Sequence, residues 1–155
     1  MVELGIGDEA PYFDLPRDGG GRVSLTDFAG KPLVLFFYPK DDTTACTAES
    51  VSFTALAADF EKAGAAVLGM SPDSVKSHDK FVKKHALSVS LASDEEKTAA
   101  ESYGVWREKS MYGRTFMGVV RSTFLIGADG KIVRIWDKVK VAGHAEAVLA
   151  AVKEL

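Results

Sequence analysis

Leu33-Val34-Leu35-Phe36-Phe37-Tyr38 is an unbroken run of six apolar residues, entered through Lys31-Pro32 and closed by Pro39. A strand with one wet face would alternate apolar and polar residues, so a continuous run between turn signals reads as a strand buried on both faces. Such a strand belongs in the middle of a sheet covered on each side by other layers. The run is also far short of the ~20 residues that a membrane-crossing helix needs, and no membrane span is expected.

The pattern around this strand alternates. Asp41-Asp42-Thr43-Thr44 forms a polar turn, and a helix is expected from Ala45, with Val51, Leu56 and Phe60 near one face, until Gly64 stops it. Residues 66–70 read as a strand ending at Ser71-Pro72-Asp73. Ser74 caps a helix on which Val75, His78, Phe81, Val82 and His85 recur at helical spacing. A short strand at 89–91 and a third helix over 95–103 follow. Segments 122–126 and 131–136 flank Gly127-Ala128-Asp129-Gly130, an antiparallel hairpin signal, and 143–155 is an Ala-rich terminal helix. Upstream, Tyr12, Phe13 and Leu15 precede Gly19-Gly20-Gly21 and 23–25 follow it, which suggests an N-terminal β-hairpin. Alternating strands and helices followed by a hairpin predict an α/β chain with a mixed central sheet flanked by helices. That arrangement is a thioredoxin-like fold, and 155 residues suit a single domain over 1–155.

Composition narrows the function. With 19 basic and 22 acidic residues interspersed, the net charge of -3 offers no footprint for a polyanion, so no nucleic-acid partner is expected. Trp136, Lys138 and Lys140, at period two with Asp137 among them, read as the solvated face of a strand. The triple glycine lacks the Lys-Ser or Lys-Thr of a phosphate loop and the spacing of a dinucleotide fingerprint. The first residues carry acids and glycines in place of a basic stretch followed by an apolar one, so the expected compartment is the cytosol. Cys46 is the one cysteine, which precludes an internal disulfide and a thiolate zinc cluster. There is no Asn and no Gln, so side-chain amides take no part in any mechanism.

Cys46 falls just after the buried strand, in the expected first turn of a helix. Unpaired backbone N–H groups and the positive end of the helix dipole favour a thiolate there. Position alone leaves a buried, inert thiol equally open. Thr43, three residues earlier, can cap the helix or aim its hydroxyl at the thiolate. A dithiol oxidoreductase would carry Cys-x-x-Cys; Thr-x-x-Cys removes dithiol exchange but leaves attack by one thiolate.

The segment Phe37-Tyr38-Pro39-Lys40-Asp41-Asp42-Thr43-Thr44-Ala45-Cys46-Thr47-Ala48-Glu49 resembles the active-site segment of the peroxiredoxins, with their Pro-x-x-x-Thr-x-x-Cys signature. Ala10-Pro11-x-Phe13, Leu25-x-Asp27-Phe28-x-Gly30-Lys31, Gly69-Met70-Ser71-Pro72-Asp73-Ser74 and Arg121-Ser122-Thr123-Phe124-Leu125-Ile126 look like family landmarks in the right order. The resemblance covers nearly the whole chain and is greatest to the PrxQ, or bacterioferritin-comigratory-protein, subfamily. It implies a peroxidatic Cys46 that attacks the O–O bond and becomes a sulfenic acid. It also implies that Arg121 keeps the thiolate ionised and donates to peroxide oxygens, and that Thr43 hydrogen-bonds the attacked peroxide. Pro39 would shape and shield the pocket, and Glu49 would hold the arginine; the bland reading of Glu49 is a solvated helix carboxylate.

The chain departs from the subfamily where a resolving cysteine would stand. Val51 and Val82 occupy the two positions at which members carry it. The resemblance therefore implies a one-cysteine enzyme whose sulfenic acid is reduced by an external thiol such as thioredoxin, glutaredoxin or glutathione, without metal, haem or flavin. Thr44-Ala45 replaces the subfamily's usual Pro-Gly, which leaves the turn less constrained. A monomer or weak homodimer is expected. A peroxide sensor and a redox-inert scaffold are the competing readings. His78 and His85 are expected at the surface or its boundary, and Met111, Tyr112, Phe116 and Met117 as core filling, the commoner use of such residues, with the pocket mouth or a subunit contact as the alternatives.

Overall fold

A computed structural model describes residues 4–155 of the chain. Two short strands, β1 (Asp14–Pro16) and β2 (Arg22–Ser24), pair antiparallel and form the N-terminal hairpin. β3 (Leu33–Phe37) follows and leads into α1 (Thr44–Ala55), α2 (Ala57–Lys62) and β4 (Ala66–Ser71). Next come α3 (Val75–His85), β5 (Ser90–Ser93) and α4 (Thr98–Ser102). A hairpin of β6 (Trp106–Met111) and β7 (Arg114–Val119) precedes β8 (Ser122–Ile126), β9 (Ile132–Trp136) and α5 (His144–Lys153).

The central sheet has the order β5-β4-β3-β8-β9, with β3 parallel to β4 and antiparallel to β8. All five residues of β3 are buried, as a middle strand with two covered faces requires. Their side chains alternate between two cores. Leu33, Leu35 and Phe37 join Phe13, Met70, Tyr103 and Phe124 beneath the N-terminal hairpin and α4. Val34 and Phe36, with Tyr38 just past the strand, join Phe53, Phe60, Phe81, Leu125 and Val148 beneath α1, α2, α3 and α5. Gly69 on β4 makes the second core possible: a Cβ there would lie 2.6 Å from Phe36 Cζ and 2.8 Å from Leu91 Cδ2. With that space free, the Phe36 ring stacks on Phe53 at a centroid distance of 4.7 Å.

Several local expectations change. The helix expected from 45 to 64 is broken at Leu56, whose ψ of 7° turns the chain between α1 and α2. In a straight helix Phe53 and Phe60 would be separated by about 10.5 Å of rise. The bend brings their ring centroids to 5.8 Å, so packing overrides the uninterrupted helical pattern. The third helix shortens to Thr98–Ser102 because Lys97 takes a left-handed φ of 62° and starts it late. Lys138 and Lys140 lie beyond β9, and Trp136 is half-buried, packed on the second core with Arg134 over its ring, in place of a solvated strand face. Met111, Tyr112, Phe116 and Met117 do not fill the core: they sit on the β6–β7 hairpin, exposed, Tyr112 at 97%. A two-stranded ribbon has no second layer to bury its side chains. Among the described residues no helix is long and apolar enough to cross a membrane.

Candidate active site

The register of β3 against β8 builds the site. Phe37 pairs with Ser122, so the residue after β3 and the residue before β8 emerge side by side at one end of the sheet. Tyr38 and Pro39 carry the chain off β3 toward α1, and Arg121 enters β8 from the opposite direction. The Arg121 carbonyl accepts from Val139 N–H at 2.9 Å, which fixes its backbone.

Cys46 is the third residue of α1, buried at 1% exposure in the second core. At that position its backbone N–H has no partner within the helix. Arg121 Nη2 donates to Cys46 Sγ at 3.2 Å, and Nη1 donates to Glu49 Oε1 at 2.7 Å. One planar guanidinium therefore bridges a sulfur and a carboxylate that lie one helical turn apart on the same face of α1. Burial opposes the Arg121 charge, but Glu49 and Cys46 more than offset it, and its pKa is raised. Glu49 is 1% exposed, so the solvated-carboxylate reading gives way to a buried one. Burial pushes its carboxyl up to about 7, against the pull of Arg121. Its second oxygen, Oε2, is buried without a hydrogen-bond partner.

Thr43 occupies the N-cap position of α1 with an extended backbone, but its side chain does not cap. The hydroxyl donates to the Lys40 carbonyl at 2.9 Å, tying the turn to itself, and the side chain is exposed toward solvent. Pro39 is half-buried at the end of β3. Arg121 thus joins Cys46 and Glu49, while Thr43 and Pro39 border the same turn and make no hydrogen bond to the sulfur.

Two histidines matter more than their sequence signals suggest. His144, the first residue of α5, places Nε2 2.8 Å from Thr123 Oγ1 and lies edge-on to Phe53 and Trp136. Burial, then the nearby Arg121 charge, lowers its pKa to about 4, so it adds no positive charge at neutral pH. No periodicity pointed to it. His78, expected at the surface or its boundary, is 0% exposed. Its Nδ1 lies 2.8 Å from Asp41 Oδ2 and its Nε2 2.9 Å from the Ala92 carbonyl oxygen. It shares the helical stripe of Phe81, and that apolar spacing was the signal for burial. His85 stays at the boundary, with Nε2 3.0 Å from Asp42 Oδ1. Among the described residues, no group of three His, Cys, Asp or Glu side chains is placed to hold a metal ion.

Comparison with known proteins identifies the family. The AhpC/TSA family model matches residues 6–135. Peroxiredoxin Bcp of Xanthomonas campestris pv. campestris is 50% identical over 146 residues, covering 93% of this chain and 91% of that protein. Peroxiredoxin Bcp of Escherichia coli K12 is 42% identical over 154 residues, 99% of each chain. A crystal structure of a cysteine-to-serine mutant of Xylella fastidiosa PrxQ superposes with a TM-score of 0.94 at 40% identity, covering 99% of this chain and 98% of that one. Bacterioferritin comigratory protein of Xanthomonas campestris, whose trapped intermediate and ligand complexes bear on its alkyl peroxide reduction activity, superposes with a TM-score of 0.88 at 48% identity, covering 92% and 90%. The chain belongs to the AhpC/TSA family: it is a peroxiredoxin of the Bcp/PrxQ group with a single cysteine, a thiol-dependent peroxidase.

Proposed function

We propose that Cys46 reduces hydrogen peroxide and organic hydroperoxides, with Arg121, Thr43, Pro39 and Glu49 forming its site within one domain. The thiolate attacks the outer oxygen of the peroxide; the S–O bond forms, the O–O bond breaks, and the departing oxygen takes a proton to leave as water or an alcohol. The observation that carries this reading is the Arg121 guanidinium, hydrogen-bonded at once to Cys46 Sγ and to Glu49. A hydrogen bond from a cation to a thiolate is stronger than one to a neutral thiol, and a fixed donor beside the sulfur is well placed for charge that moves onto the leaving oxygen. Backbone N–H groups at the start of α1 add further donors at the same place. Thr43 lies in the turn that a bound peroxide would meet, and its hydroxyl would hydrogen-bond the substrate. Pro39 would wall the pocket against water.

The sulfenic acid has no second thiol within the chain. A first external thiol displaces water to give a mixed disulfide, and a second releases Cys46 as the thiol. Thioredoxin, glutaredoxin and glutathione all fit that chemistry, and a compartment that keeps thiols reduced, such as the cytosol, suits the cycle. Catalysis by a monomer or a weak homodimer is consistent with a site built from one chain.

The test is intact mass and free-thiol count of the reduced protein after one equivalent of hydrogen peroxide with dimedone present, beside Cys46→Ser. Rapid stoichiometric capture at Cys46 is the expected result. A thiol that reacts no faster than free cysteine would sink the catalytic reading. Turnover on adding a thiol reductant then separates a peroxidase from a sensor.

A further inference from the structure

The segment from Lys40 to Thr44 carries no Pro and no Gly, and Asp42 within it holds a left-handed φ of 60°. Its backbone chemistry alone does not stiffen it. Side chains do. Asp41 is 7% exposed, and its carboxylate accepts from Tyr38 Oη at 2.6 Å and from Ser77 Oγ at 2.8 Å, with His78 Nδ1 at 2.8 Å. Asp41 N–H donates to Asp73 Oδ2 at 2.8 Å, and on the outer side Lys84 and His85 hold Asp42. The turn that launches α1 is thereby bound to α3.

His78 is the buried centre of this arrangement, and its protonation follows from its neighbours. A carbonyl oxygen can only accept, so the Nε2 facing Ala92 must carry a proton. Asp41 already receives two hydroxyl donors, and an ionised carboxylate is acceptor-only, so the facing Nδ1 must carry one too. Both ring nitrogens protonated means an imidazolium, buried and paired with Asp41. The titratable groups around the ring are Tyr38 from the end of β3, Asp41 from the turn and Asp73 from the loop after β4; β5 contributes only the Ala92 carbonyl.

We infer that His78 is a positioning residue for Cys46: as an imidazolium held between Asp41 and the Ala92 carbonyl, it fixes the turn that sets the first turn of α1. The inference rests on the peroxidatic reading of Cys46 and deepens it. The sign of its pH dependence follows. Burial works against the charge, but Asp41, Ala92 and Asp73 outweigh it and the His78 pKa is raised. The stability that this pairing contributes is therefore fully present below the ordinary histidine range and is lost as pH rises through the raised value in the folded protein. Above that value a neutral ring has one N–H for two acceptors, and the turn loosens.

Two measurements on the full chain test this. Long-range 1H–15N correlation of the histidine-labelled reduced protein at pH 7.5, where an ordinary imidazole is neutral, should show His78 protonated on both nitrogens. One protonated nitrogen would overturn the inference. Single-turnover oxidation of Cys46 by hydrogen peroxide, followed from pH 6 to 10, should show an alkaline decline in the wild type. Because His78→Leu alone strands a buried carboxylate and can unfold the chain, the paired variant His78→Leu with Asp41→Asn is the comparison. It should be about ten-fold slower at pH 7, equivalent to about 1.4 kcal/mol of barrier, and should lack the alkaline decline. A paired variant with the wild-type rate and the same alkaline decline would overturn the positioning role while leaving the peroxidase reading intact. A wild-type Cys46 that is unreactive at every pH would overturn the peroxidase reading itself.

Discussion

Replacing Glu49 by Gln separates the charge of this residue from its shape. Burial raises the Glu49 carboxyl from 4.5 to about 7 even with Arg121 beside it. A rise of about 2.5 in pKa, at about 1.4 kcal/mol for each unit, means that the fold disfavours the ionised form by about 3 kcal/mol. Below about pH 4.5 the carboxyl is protonated in folded and unfolded chains alike, and the term vanishes. As pH rises from there, the unfolded chain gives up its proton first, so stability falls; above about pH 7 the loss is complete. Glutamine does not titrate. Its Oε1 still accepts from Arg121 Nη1, and its amide nitrogen takes the place of Oε2, an atom that has no partner to lose. Glu49→Gln should therefore gain on the wild type by about 3 kcal/mol between pH 4.5 and pH 8. Urea unfolding of the reduced proteins at pH 4.5, 6 and 8, followed by circular dichroism, reads this difference directly. Two stability curves that run parallel across the range would refute the reasoning, because Glu49 would then carry its charge at no cost to the fold.

Other expectations follow from the same contacts. Arg121→Lys keeps the charge but cannot present two fixed N–H groups to Sγ and Oε1 together; the peroxide rate constant in single turnover should fall about 10²- to 10³-fold, and a fall of less than three-fold would refute the bridging role. Gly69→Ala drives a methyl into Phe36 and Leu91 and should lower the unfolding free energy by about 1–3 kcal/mol, with an unchanged urea midpoint as the contrary result. Phe116→Ser, on the exposed hairpin, should leave stability within about 0.5 kcal/mol of wild type; a drop of several kcal/mol in the same assay would show that this side chain is packed after all.

How legible the molecule is from its sequence depends on the range of the interaction that decides each feature. The buried strand, the capped α3, the β8–β9 hairpin and the position of Cys46 at a helix start are written in runs, periods and turn residues, each decided within a few neighbours. The β6–β7 hairpin escaped because Tyr112-Gly113 is a weak turn signal and its apolar residues mimic a core segment. The bend at Leu56 escaped because Phe53 and Phe60 are drawn together by the sheet beneath them.

The candidate site divides in the same way. Cys46 and Arg121 stood out as residue types in a recognisable order, so both could be named as candidates from the sequence. The state of their partners could not be read there. That Glu49 is buried, that His144 is neutral and that His78 is held between Asp41 and a carbonyl depends on which groups the folded chain excludes from water. Desolvation and hydrogen bonding between residues 14 to 72 positions apart in the chain set those charges, and no local pattern of sequence carries that information.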